Sequence, residues 1–150
     1  MSFEWHAQTP FELILFFLLL WSGVSVGLAR IGGWGRLAET YRSEADFEGT
    51  RWVLRSAKVG LVDYANCLTF GVNERGLYMG VLLPFRLAHP PLFIPWSDVG
   101  AHERRGWFLE YLDFTFAQVP DIRIRVSKRL GESLINAGGR ALTSLRKVPA

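Results

Sequence analysis

The sequence predicts one membrane-spanning helix followed by a mainly-β domain of six to seven short antiparallel strands, a partly open barrel or sandwich closed by a C-terminal helix. Three observations carry that expectation. An apolar stretch without a charge runs from Leu13 to Ala29, and from about Ser43 onward β-forming runs separated by turn residues replace the helical pattern. Finally, Ser127 opens a segment whose apolar residues return to helical spacing. The 150 residues suffice for one domain plus an accessory segment.

The apolar stretch PFELILFFLLLWSGVSVGLA defines the first element. A helix over residues 11–29 is roughly 28 Å long, near the hydrocarbon thickness of a bilayer. A core helix of the same composition would need more protein around it than this chain supplies. A secretory signal needs a basic start, yet no Lys or Arg precedes Arg30, so the expectation is a retained anchor with residues 1–10 as an outer tail. Arg30, Arg36 and Arg42 all follow the span, which by the positive-inside rule puts the N-terminus outside and the C-terminal domain in the cytoplasm. Trp5 and Trp34 flank the two ends as interfacial aromatics. Gly23 and Gly27 have the GxxxG spacing that lets another helix approach closely. Cys67 is the single cysteine, which rules out an intrachain disulfide and fits a reducing compartment.

Residues 30–47 form the linker. Gly32 and Gly33 can end the membrane helix. Trp34, Leu37 and Tyr41 then fall at helical spacing, as expected for a short amphipathic helix or connector at the headgroup level. The β-rich domain is expected over 48–138. Its candidate strands are 51–59, 67–72, 77–85, 91–96, 107–117 and 122–126, with Asn73-Glu74-Arg75-Gly76 turning the second into the third and Gly76 supplying a positive φ. Along 107–117, Phe108, Glu110, Leu112, Phe114 and Phe116 share one face. Ser127 is the expected N-cap of the closing helix, Leu130, Leu134 and Ile135 its apolar stripe, and Gly138-Gly139 its end. Residues 139–150 remain as a basic tail.

The stretch FRLAHPPLFIPWSDV, residues 85–99, is the most distinctive local pattern. Pro90-Pro91 favours an extended lead-in, and Pro95 demotes the following run to an edge strand. Alternation sends Leu92, Ile94 and Trp96 to the core and leaves Phe93 on the other side, beside His89 and Arg86. Two readings follow. One is a rigid edge protected from unwanted pairing. The other is a partner-docking edge built from Arg86, His89, Pro90, Pro91 and Phe93.

The hairpin LTFGVNERGLYM, a later strand running into IPWSDV, further strands and one C-terminal helix together resemble the pleckstrin-homology-like (PH-like) superfold, including bacterial membrane-linked PH and GRAM-type domains. The resemblance covers about 48–138 and implies a bacterial inner-membrane location. The longer phrase LYMGVLLPFRLAHPPLFIPWSDV looks like a stretch found in small bacterial membrane-anchored proteins. Phosphoinositide-binding members cluster basic residues on the first two strands and their connecting loop. Here Arg51, Arg55 and Lys58 lie on the first strand, but GLVDYANC brings an acid and no base, which argues against inositol-phosphate binding.

Signatures of catalysis are few. HExxH, GxSxG, Walker A and CxxC patterns are missing from the sequence, and His6, His89 and His102 are scattered. Ser97, Asp98 and His102 carry the letters of a hydrolase triad, but such partners normally come from separate parts of a fold, so Asp98 is expected to order a turn instead. His6 lies outside the apolar run, which limits any pigment contact to the periphery, and no cofactor or metal is expected. Charge is uneven: residues 43–121 carry −3, and residues 122–150 carry +6, including Arg140, Arg146 and Lys147. Such a basic end suits an anionic inner leaflet or an acidic subunit, whereas no nucleic-acid motif accompanies it. The function these features point to is a non-catalytic accessory subunit that binds and stabilises a larger membrane complex, with photosynthetic and respiratory assemblies as the natural hosts. A stand-alone lipid- or peptide-binding adaptor on the same membrane face is the alternative.

Overall fold

The computed structural model describes residues 9–82, 86 and 88–138. Trp5, His6, Arg140, Arg146 and Lys147 therefore lie outside the described residues, as do Leu83 to Phe85 of the third candidate strand.

The first described element is α1, Pro10–Gly32. Thr9 caps it by accepting the Glu12 N–H, and Pro10 sits where a missing N–H costs nothing. The helix is 23 residues long with a mean hydropathy of 2.1 over its most apolar window, long and apolar enough to cross a membrane. Its side chains from Phe11 to Leu20 are exposed. Gly33 stops the helix in the left-handed conformation at φ 83°, and a Cβ there would lie 2.3 Å from Ile122 Cδ1. The sharp turn leads directly into α2, Trp34–Tyr41.

Seven strands follow: β1 Thr50–Val59, β2 Val62–Val72, β3 Gly76–Val81, β4 Leu92–Pro95, β5 Val99–Arg105, β6 Glu110–Phe116 and β7 Ile124–Ser127. They form one antiparallel sheet in the order β4-β3-β2-β1-β7-β6-β5, curled into a half-barrel. β1 bridges the two halves, with most of its length on β2 and its last residues, Lys58 and Val59, on β7. Register irregularities between Trp52 and Ala57, with Leu54 at φ 54° and Asn66 at φ 53°, bend this hairpin and let the sheet curl. Helix α3, Lys128–Ala137, closes the concave side through Leu130, Gly131 and Leu134. Ser127 accepts the Leu130 N–H as the expected cap.

Several expectations are corrected. The sheet has a strand at 99–105 that the sequence reading missed, and β2 begins at Val62, inside the segment read as a loop. The strand expected from residue 107 begins at Glu110, so Trp107, Phe108 and Leu109 form an exposed hairpin tip. The Asn73 turn forms through the Asn73 side chain, which accepts the Arg75 and Gly76 N–H groups. Gly76 is not at positive φ; it is needed because a Cβ would lie 2.3 Å from the Ile94 carbonyl oxygen.

The largest correction concerns the linker. Its helix turns its apolar face inward, against the sheet. Trp34, Leu37 and Tyr41 are buried in the main core with Leu68, Phe70, Ile94 and Phe114, each contributing about 2 kcal/mol through burial. Trp34 is thus a core residue and not an interfacial one. Arg36 pairs with Asp121, and Arg42 lies against β4 through a bridge to Leu92. Arg30 alone of the expected interfacial set with described positions stays free at the end of α1.

Candidate functional site

Two side-chain clusters surround the histidine-proline segment. The first is buried. Trp34, Tyr64 and His89 pack as an aromatic box with ring centroids 5.4 to 5.9 Å apart. Trp34 Nε1 donates to the Pro90 carbonyl at 3.0 Å, and the Tyr64 hydroxyl lies 2.9 Å from His89 Nε2. Burial pushes the Tyr64 phenol up to about 12. His89 is fully buried, so it is not the exposed docking residue that strand alternation suggested. Its role is to hold residues 88–91 against the first turn of α2.

The second cluster lies on the outside of that segment. An open groove of about 670 Å³ is lined by Arg42, Arg51 and Arg86, by Phe47 and Tyr78, and by Pro90 and Pro91. Its floor is aromatic: Phe47 and Tyr78 stack with centroids 4.8 Å apart at 19°. The Arg51 guanidinium sits 5.4 Å from the Phe47 ring centre and 5.8 Å from that of Tyr78, and it donates to the Phe47 carbonyl. Gly71 makes this floor possible, since a Cβ there would stand 2.4 Å from Phe47 Cε1. Phe93 approaches the same cluster from β4, its ring 6.5 Å from Phe47. Glu44 and Asp46 line the groove too, so three cations face two carboxylates. Such a surface suits a segment that offers a carboxylate or phosphate to the arginines, which the buried rings hold in place.

The structure therefore brings together Arg86, Pro90, Pro91, Phe93 and Arg42 from the expected set, and separates His89 from them. Phe47, Arg51 and Tyr78 were missed as site residues. Arg51 had a signal as a basic residue on the first strand, whereas Phe47 and Tyr78 meet only through tertiary packing. Gly23 and Gly27 stand on an open helix face where an added Cβ meets nothing within 4 Å.

Ser97, Asp98 and His102 do not assemble as a triad among the described hydrogen bonds. Asp98 Oδ2 instead accepts from the Tyr41 hydroxyl at 3.0 Å and from Gln118 Nε2 at 2.8 Å, tying α2 to the connection between β6 and β7. Burial raises the Tyr41 phenol pKa, and the hydrogen bond to Asp98 adds to the shift. Among the described residues no three His, Cys, Asp or Glu side chains gather in a way that could hold a metal. Comparison of the chain with protein-family models, with curated proteins and with solved structures finds no match.

Proposed function

We propose that the protein is a non-catalytic, single-pass accessory subunit of a larger membrane complex in the bacterial inner membrane. In this reading α1 crosses the bilayer with its N-terminus outside, and a PH-like domain docks on a neighbouring subunit from the cytoplasmic side. The strand order, the curled sheet and the closing helix support the PH-like reading of the domain. The observation that carries the function is the joint between anchor and domain. The apolar helix passes through one left-handed glycine straight into α2, whose Trp34 and Leu37 are fully buried in the sheet's core. A domain on a flexible tether searches for partners, whereas one built onto its anchor presents a fixed face to whatever stands beside it. The groove of Arg42, Arg51 and Arg86 is the docking face in this reading. Extraction of native membranes in mild detergent tests it: on native gels the protein should migrate with a large complex, and Arg51→Ala with Arg86→Ala should release it. A wild-type chain that migrates alone defeats the proposal.

The alternative, an independent lipid- or peptide-binding adaptor, is favoured by the same three arginines. Flotation of the full chain in vesicles cannot separate the readings, because α1 would float it regardless. Protection of the groove arginines from a guanidinium-modifying reagent by anionic vesicle lipid, compared with neutral lipid, does separate them.

A further inference from the structure

The two edges of the sheet differ. β4 is guarded by Pro90, Pro91 and Pro95, by α2 packed beside it, and by the Ser43 N–H, which donates to the Pro91 carbonyl at 2.8 Å. β5 at the other edge reads VGAHERR, has no proline, and has only β6 packed substantially against it among the described residues. Two hydrogen bonds fix which of its backbone groups face outward. Gly106 N–H donates to the Leu109 carbonyl, and Ala117 N–H donates to that of Asp98. Even-numbered residues from 98 to 106 therefore bond to β6, while Ala101, Glu103 and Arg105 turn their N–H and C=O groups to the open side. Just past the strand stand Trp107 and Phe108, 95% and 92% exposed. An open edge of this kind is a template for another strand.

We propose that β5 pairs antiparallel with β5 of a second copy of this chain, joining the two sheets across a two-fold axis. The edge is complementary to itself in one register. With Glu103 opposite the second copy's Arg105, symmetry sets Arg105 opposite the second copy's Glu103. Outward backbone groups then meet outward backbone groups, and both of these charge pairs have opposite signs. Trp107 comes over Ala101, the smallest outward side chain of the strand. Glu103 has no ion-pair partner within 4 Å among the described residues, so the pairing gives it one. Arg104 falls on the axis, but its guanidinium leans back over β6 to Asp113 at 3.4 Å, away from its symmetry mate. A slip that places Glu103 opposite Glu103 sets like charges face to face.

The test uses the full chain in lipid vesicles with Cys67→Ser. At the axis the two Cα atoms of residue 104 would lie about 4.5 Å apart, within disulfide range. Arg104→Cys should oxidise to a covalent dimer, whereas Ser97→Cys, exposed but off this edge, should not. In the Arg104→Cys background, Glu103→Arg should lower the dimer yield roughly tenfold, and Glu103→Arg with Arg105→Glu should restore it. Circular dichroism of each variant confirms that the sheet is intact. Cross-linking no greater than that of Ser97→Cys, or cross-linking indifferent to both charge changes, overturns the proposal.

Discussion

Gly60 offers the most direct test of the joint between α1 and the β-rich domain. It lies in the turn between β1 and β2 at φ +58°, and a Cβ built on it stands 2.1 Å from the carbonyl oxygen of Gly32, the last residue of α1. An ordinary carbon–oxygen approach is about 3.3 Å, so Gly60→Ala must push the helix end and the turn apart by about 1.2 Å. Three contacts resist that movement. Gly32 already lies against the Val59 carbonyl and the Val62 side chain, Gly33 against Ile122, and the Gly60 N–H donates to the Arg123 carbonyl at 2.9 Å. The left-handed conformation costs alanine about 1 kcal/mol, and losing the hydrogen bond costs about 1 kcal/mol more. Repacking at Gly32 brings the expected destabilisation to about 3 kcal/mol. In urea titrations of the full chain in detergent micelles, followed by tryptophan fluorescence, the midpoint should fall by roughly 2 M. Gly27→Ala serves as the control, because its new Cβ meets nothing within 4 Å. If the two alanine variants unfold within about 0.5 kcal/mol of each other, the close approach of helix and turn is not what holds the domain on α1.

Three further outcomes follow from the same packing. Trp34→Ala should cost about 4 kcal/mol, since it empties a fully buried site and removes the bond to Pro90, and tryptic cleavage within residues 33–47 should accelerate. Unchanged proteolysis would mean that α2 is dispensable. The Tyr64 phenol ionises near 10 when unfolded and near 12 when folded, so its contribution is complete below pH 10 and is lost as pH rises toward 12. Tyr64→Phe should therefore flatten the alkaline limb of the stability profile while costing about 1 to 2 kcal/mol at pH 7, and an unaltered alkaline limb would contradict the burial argument. Asp98→Ala leaves the Tyr41 hydroxyl and the Gln118 amide without their shared acceptor, for an expected loss of about 2 kcal/mol; a change under 0.5 kcal/mol in thermal unfolding would show that this tie is incidental.

What the sequence disclosed and what it hid follow from the range of the interactions. The helix of the apolar run, the position of the Asn73 turn, the Ser127 cap and the inward alternation of Leu92, Ile94 and Trp96 are local patterns, and each forms where expected. Gly76, however, serves the turn through close packing and not through a positive φ. β5 escaped notice because an edge strand with its outer residues in water buries too few side chains to write a two-residue period; His102, Glu103, Arg104 and Arg105 look like a loop. The amphipathic spacing of Trp34, Leu37 and Tyr41 was legible, but periodicity does not say whether lipid or a sheet covers the apolar face. His89 was misplaced for a similar reason. Alternation assigns sides only within a strand, and His89 precedes β4 in a segment whose course is set by Trp34 and Tyr64, residues distant in sequence. The groove needed the meeting of Phe47 with Tyr78, which no spacing encodes.

The join at Gly32–Gly33 also fixes a rotation. The buried residues of α1, namely Ser25, Ala29 and Gly32, recur along one stripe, and Gly32 is the one pressed on Val59 and Val62. At about 100° per residue, Gly23 and Gly27 each lie some 160° around the helix from Ser25. The compass bearing of the β-rich body about the helix axis is thus set against that of the glycine pair. Any helix seated on the pair would come from the far side and leave the body's own surfaces clear for other neighbours.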